Sequence, residues 1–90
     1  LYINGTEEAS LSFTAINNSA QNLILGAYSN STQTGFQAFL NGNLDEVSIW
    51  DSALSSDAVT EIYNSGAPND LTSLTNASSS NLVAWYKMGE

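Results

Sequence analysis

The feature that most constrains the fold is the shortness of the apolar runs. Asn, Gly and Ser interrupt them at intervals of about 8 to 12 residues, a spacing typical of antiparallel β structure. The pair Asn4-Gly5 follows a short apolar stretch at residues 1–3, and both residue types tolerate the positive φ of a tight hairpin turn. The sequence therefore predicts a mainly antiparallel all-β chain.

Four further segments have strand patterns. They are residues 11–15, 22–28, 36–50 and 82–86. In the first segment Leu11, Phe13 and Ala15 alternate with polar residues, which predicts a strand with one solvent-facing side. The second is more continuously apolar, as in a strand covered on both faces. The third predicts a hairpin around Asn41-Gly42. The last predicts a strand that must find a pairing partner.

One segment has the period of a helix. Val59, Ile62 and Tyr63 lie at i, i+3 and i+4, the apolar stripe of a short amphipathic helix. Ser55 is a suitable N-cap, and a Gly-X-Pro sequence follows the stripe. We predict one short helix near residues 55–64, which must pack on the sheet because a helix of this length is unstable alone.

The composition excludes several classes of function. One Lys or Arg against nine Asp and Glu gives a net charge of −8, which argues against nucleic acid and membrane surfaces as partners. The absence of Cys and His removes disulfides, thiolate sites and the usual neutral-pH acid–base group. Asn, Ser and Thr make up 32 of the 90 residues, a surface expected of an extracellular or virion-exposed protein.

Three motifs resemble a known family. The string L-N-G-N-L-D-E-V-S-I-W at residues 40–50, followed by the predicted helix, is similar to the C-terminal signature of laminin G-like domains. L-Y-I-N-G at residues 1–5 and L-I-L-G at residues 23–26 resemble two upstream strands of that family, in family order. The resemblance covers residues 1–66 and implies a concanavalin A-like antiparallel jelly-roll sandwich.

The resemblance also implies how the chain is organised. The sandwich of this family is about twice as long, so residues 1–66 are expected to be its C-terminal half, completed by upstream residues or neighbouring subunits. Residues 67–81 are expected to be a Ser/Thr/Asn-rich linker or loop, and residues 82–90 a closing strand or the start of a following module. The segment W-x-x-M-G at residues 85–89 also resembles structural proteins of marine bacteriophages.

The carboxylates do not have the pattern of a glucanase of this fold. Such an enzyme needs two carboxylates on one strand face, whereas the adjacent pairs Glu7-Glu8 and Asp45-Glu46 would face opposite sides of a strand. We therefore predict no enzymatic activity, no catalytic residue and no cofactor in this segment. Calcium is expected, if anywhere, in the complete domain, although oxygen ligands are present at Asn30, Asp45, Asp51, Asn69 and Asp70.

We predict a non-enzymatic surface recognition module that binds a glycan or a protein partner, located outside the cell or on a virion. Aromatic platforms with amide and carboxylate groups bind sugars, and the ligand-binding candidates are Tyr28, Asn30, Asp45 and Trp50. Tyr2 and Trp85 are further aromatics of this kind, although each aromatic also suits a packing role. The alternative is a structural protein of a virion or extracellular assembly, such as a capsid decoration or fibre, with no small ligand.

Residues 1–90 expressed alone are expected to be poorly soluble or molten, because half a sandwich leaves strand edges and apolar faces uncovered. Thermal unfolding followed by circular dichroism checks this expectation. A cooperative transition from a monomeric sample would contradict it.

Overall fold

The computed structural model describes residues 1–12, 14–15 and 19–89. The chain divides into two compact units, Leu1–Ser12 with Asp45–Glu90, and Phe13–Leu44. Six strands and one α-helix are present in the described residues: β1 (Tyr2–Ile3), β2 (Thr6–Glu7), β3 (Tyr28–Ser29), β4 (Phe36–Gln37), β5 (Val47–Trp50), α1 (Ser56–Tyr63) and β6 (Leu82–Tyr86). Two 3-10 turns lie at Asn64–Gly66 and Ser79–Asn81. The helix is too short and too polar to cross a membrane.

The first hairpin forms where the sequence predicts it. β1 pairs antiparallel with β2, with Tyr2 opposite Glu7 and Ile3 opposite Thr6. Asn4 and Gly5 connect them with φ values of 51° and 77°. Positive φ at both central residues matches the right-handed twist of the strands, which is why an Asn-Gly pair is favoured there.

The last predicted strand pairs within its own unit. β6 lies antiparallel to β5, with Val47 opposite Tyr86 and Ser48 opposite Trp85. The register shifts between Ile49 and Trp50, as at a β-bulge. This pairing returns the chain to β5 after the helix and the polar loop that follows it.

The helix confirms the prediction for residues 55–64. Ala58 N–H donates to Ser55 Oγ at 3.2 Å, so Ser55 is the N-cap. Asn64 ends the helix in the left-handed conformation, with φ 45°. Ala58 is 0% exposed and marks the face that packs inward.

The loop at residues 69–81 is bound to the helix by one carboxylate. Glu61 accepts hydrogen bonds from Thr75 N–H at 2.7 Å, from Asn76 N–H at 2.8 Å and from Asn76 Nδ2 at 2.9 Å. Leu71 in the same loop is 3% exposed. The loop therefore has an ordered attachment to α1 through Glu61 and an apolar anchor in Leu71.

In the second unit, β3 pairs antiparallel with β4 across a polar loop. Asn30 organises this loop, because its Oδ1 accepts from Thr34 N–H at 3.0 Å and its Nδ2 donates to Thr34 Oγ1 at 3.2 Å. Gly26 has φ 77°, and its carbonyl accepts from Leu40 N–H at 2.8 Å.

Two strand predictions in this unit and its flank are wrong. The described residues among 11–15 form no strand, Leu11 is 87% exposed, and Phe13 lies outside the described residues. Only Tyr28, of the segment 22–28, lies in a strand, since the positive φ of Gly26 turns the backbone before it. An alternating or apolar sequence pattern therefore does not produce a strand where no partner strand pairs with the segment.

The hairpin predicted for residues 36–50 is also wrong. β4 pairs with β3 and β5 pairs with β6, so the two halves of the segment belong to different sheets. Positive φ values of 50° at Ala38 and 51° at Glu46 interrupt extended backbone between them. The local turn signal at Asn41-Gly42 is overridden by pairing with more distant strands.

The predicted fold class is confirmed at the level of antiparallel strands with one short helix. The described strands form three two-stranded sheets, and the two-sheet jelly-roll sandwich stays a prediction. Ala58 and Leu71 are the buried hydrophobic residues of the described chain, and many large apolar side chains are exposed. The division at residues 66 and 81 likewise stays a prediction, although α1, the loop and β6 belong to one compact unit.

Acid should destabilise the attachment of the loop to the helix. Hydrogen bonds from the Thr75 and Asn76 backbone N–H groups lower the pKa of Glu61 below its usual value. A group whose pKa is lower in the folded state than in the unfolded state stabilises the fold at pH values above its unfolded-state pKa. This stabilisation is lost as the pH falls through the folded-state pKa. We expect the melting temperature of the intact protein to fall below about pH 5, measured by thermal unfolding across a pH series.

The substitution Glu61→Gln should lower the melting temperature at pH 7 by roughly 5 °C, because it removes the charge that strengthens three hydrogen bonds. Glu8→Gln is the matched control, since it removes the same charge from an exposed side chain without such bonds. An equal effect of the two variants would show that net charge alone is responsible.

Candidate functional site

The sequence-predicted ligand residues are divided between the two units. Tyr28 and Asn30 lie in Phe13–Leu44, whereas Asp45 and Trp50 lie in the other unit. Tyr28 is 60% exposed on β3. The amide of Asn30 is engaged in its own loop. Trp50 is half-buried and donates from Nε1 to Ser48 Oγ at 3.0 Å.

Asp45 lies on a groove at the C-terminal end of α1, which we call the helix-end groove. Its volume is about 240 Å³. The lining residues are Asp45, Glu46, Ile62, Tyr63, Gly66, Ala67, Pro68, Asn69 and Leu71. The groove thus combines two carboxylates and one aromatic ring with an otherwise mainly apolar wall.

Asp45 and Glu46 line the same groove, which strand alternation does not predict. The alternation argument assumes extended backbone through both residues, but Glu46 has φ 51° and β5 begins only at Val47. Asp45 is exposed and accepts from Glu46 N–H at 2.9 Å. The alternation argument therefore does not apply to these two carboxylates, because both lie before the start of β5.

Glu46 lines the groove but is not among the ligand-binding residues predicted from the sequence, which considered it only as half of the pair with Asp45. Its Oε2 accepts a hydrogen bond from Trp85 Nε1 at 2.6 Å, which joins the entry to β5 with β6. A half-buried Trp needs a partner for its N–H, and that need was the available signal. Lys87 Nζ lies 4.2 Å from the centroid of the Trp85 ring, a cation–π arrangement.

Tyr63 is positioned by the first hairpin. A Cβ at Gly5 would lie 2.8 Å from Tyr63 Cδ1, so the absence of a side chain allows the ring to approach the turn. Thr60 Oγ1 also donates to the Gly5 carbonyl at 3.4 Å. Tyr63 remains 38% exposed and is one of the residues that line the groove.

Tyr2, another aromatic considered for sugar binding, is committed to its own hairpin. Its hydroxyl donates to Glu7 Oε2 at 3.5 Å. Desolvation, with a smaller contribution from the Glu7 charge, raises the pKa of Tyr2 above its usual value.

The possible calcium ligands are separated or engaged elsewhere. Asp70 Oδ1 accepts from Thr72 Oγ1 at 2.6 Å and Thr72 N–H at 2.9 Å, and these bonds lower the pKa of Asp70. Asn69 accepts from Asp70 N–H at 2.9 Å. Within residues 1–12, 14–15 and 19–89, no cluster of three or more acidic side chains could hold a metal ion.

The described residues define a class of all-β chains with short antiparallel strands, one capped helix and an acidic groove beside it. A family model of the laminin G type, described as the concanavalin A-like lectin/glucanases superfamily, matches residues 1–60. The chain belongs to this superfamily, as the three motifs indicated. Domains of this kind are commonly binding modules for carbohydrates or proteins. No curated protein and no solved structure matches the chain.

The bond between Glu46 and Trp85 should contribute measurably to stability. We expect Trp85→Phe to lower the free energy of unfolding by about 1.5 kcal/mol, because it removes a hydrogen bond to a carboxylate. Denaturant unfolding of the intact protein measures the change.

Trp50→Phe provides the control for this variant. It removes a neutral hydrogen bond, from Nε1 to Ser48 Oγ, and should cost only about 0.5 kcal/mol. Equal losses would mean that the indole volume, rather than the Glu46 bond, carries the effect.

Proposed function

We propose that the chain is a non-catalytic recognition module that binds a glycan or a protein partner through the helix-end groove. The observation that carries the proposal is the groove itself, with Asp45, Glu46 and the partly exposed residue Tyr63 in its lining. Membership of a superfamily whose domains commonly bind carbohydrates or proteins supports it. Nucleic acid and membranes are not proposed as partners, because the net charge is −8.

The absence of catalysis is part of this proposal. Two carboxylates share the groove, but a glycoside hydrolase needs two that flank the scissile bond and act as acid and as base or nucleophile. Glu46 Oε2 accepts a hydrogen bond from the Trp85 indole at 2.6 Å, so one of the two carboxylates is already engaged in a structural contact. Incubation of the intact protein with β-glucans should therefore release no reducing sugar, and release that Glu46→Gln abolishes would overturn this part.

A second candidate function is a structural role in a virion or extracellular assembly. The observation that favours it is the exposed apolar surface, which large assemblies cover with neighbouring subunits or other segments. The most exposed of these side chains are Leu1, Leu11, Leu23, Phe39 and Val83. Under this proposal the chain occupies repeated, symmetry-related positions in a particle, and its location is again outside the cell or on the virion surface. Calcium remains a proposal for the complete domain only.

The groove can be blocked without removing any of its contacts. Ala67 is exposed and has an ordinary extended backbone, with φ −95° and ψ 142°, so Ala67→Trp should fill the groove without backbone strain. We expect partners identified on glycan and protein arrays to bind this variant at least tenfold more weakly.

Ala53→Trp is the matched control, because Ala53 is also exposed but does not line the groove. Equal binding by the two variants would place the binding surface elsewhere. No binding to any glycan or protein by the unsubstituted protein would favour the structural role.

A further inference from the structure

The side-chain polar groups left available in the helix-end groove are mostly acceptors. Asp45 and Glu46 are carboxylates, which only accept hydrogen bonds when ionised. The bond from Trp85 uses Oε2 of Glu46, which leaves its Oε1 as the acceptor for a ligand. The amide of Asn69 is occupied on both sides, because its Nδ2 donates to the Glu61 carbonyl at 3.0 Å and its Oδ1 accepts from Asp70 N–H at 2.9 Å. Neutral sugars present acceptors as well as donors, so a ligand made only of donors fits this groove better.

The rest of the groove suits an alkyl stem and a flat cation. Ile62, Pro68 and Leu71 supply apolar wall, against which the methylene groups of a long basic side chain can pack. Tyr63 is a partly exposed aromatic residue of the lining, and an aromatic ring can bind a cation on its face. A calcium ion would instead need six to eight oxygen ligands, and the described part of the chain holds no group of three or more acidic side chains placed to bind a metal ion.

The volume of the groove and the net charge of the chain also favour a single basic side chain as the ligand. A volume of about 240 Å³ is below the roughly 300–1,000 Å³ of pockets that enclose drug-sized ligands, so the groove suits a single side chain. The chain has one Lys or Arg against nine acidic residues, and that Lys87 lies over the Trp85 ring. The electrostatic field of the protein therefore attracts cationic partners.

We propose that the helix-end groove binds an arginine side chain presented by a protein partner, a specificity that rests on the proposed recognition function. The planar guanidinium has five donors and no acceptor, and it can bond carboxylates while stacking on an aromatic ring. Asp45 and Glu46 receive the guanidinium, and Tyr63 with the apolar wall holds its stem.

The experiment titrates the intact, isotope-labelled protein with the capped peptide Gly-Ser-Arg-Ser-Gly and follows the indole N–H signals of Trp85 and Trp50 by NMR. The Trp85 signal should shift more than the Trp50 signal, because Trp85 Nε1 donates to Glu46. Trp85→Phe and Trp50→Phe assign the two signals. The peptide with neutral citrulline in place of arginine should cause no comparable shift.

Paired charge variants distinguish binding in the groove from general attraction by the net negative charge of the protein. Asp45→Asn should weaken arginine-peptide binding about fivefold, whereas Asp51→Asn removes the same charge outside the groove and should change it less than twofold. Equal losses in both variants, or equal binding of the citrulline peptide, would overturn the arginine assignment. Competition by millimolar calcium chloride that magnesium chloride does not match would overturn it in favour of a metal site.

The two proposals fail in different ways. If Ala67→Trp abolishes binding of a glycan while the arginine peptide never binds, the arginine assignment is wrong and the recognition function stands. If no glycan, protein or peptide binds the unsubstituted protein, both proposals are wrong.

Discussion

The pairing of β6 with β5 is the constraint on which the larger unit depends. It closes a long connection that contains α1 and the polar loop, and closing such a connection costs conformational entropy that the contacts within it must offset. The pairing also places Trp85 opposite Ser48 and within reach of Glu46. The groove beside the helix exists because the entry to β5 is held in this position while the end of α1 lies next to it.

The stability of this unit relies more on specific polar bonds than on a large apolar core. Ala58 and Leu71 are its buried hydrophobic residues among those described, so burial alone offsets little of the ordering cost. Hydrogen bonds to carboxylates add to this small contribution from burial. Glu61 binds the loop through both of its carboxylate oxygens, and Glu46 binds Trp85 on β6 through one oxygen. The carboxylates of Glu61 and Glu46 are thus both bound by N–H groups.

The features that could be predicted from the sequence are those that neighbouring residues determine. The Asn4-Gly5 turn and the Ser55 cap each depend on a few adjacent residues, and the terminal strand has a dense run of β-forming residues. The contact between Glu46 and Trp85 spans 39 positions, and no local pattern indicates it. Of the ligand residues predicted from sequence, Asp45 lies on the groove, but its partners there depend on the positive φ of Glu46 and on the end of α1, which alternation rules do not represent.

The bond from Asn76 Nδ2 to Glu61 has a consequence for covalent modification. Asn76 begins an Asn-X-Ser sequence, the acceptor for N-linked glycans in secreted proteins, and the nitrogen that would carry the sugar is the one that lies 2.9 Å from Glu61 Oε2. N-glycosylation replaces one of the two hydrogens on Nδ2 and leaves the other. A glycan at Asn76 is therefore compatible with the closed loop only where the remaining hydrogen faces Glu61.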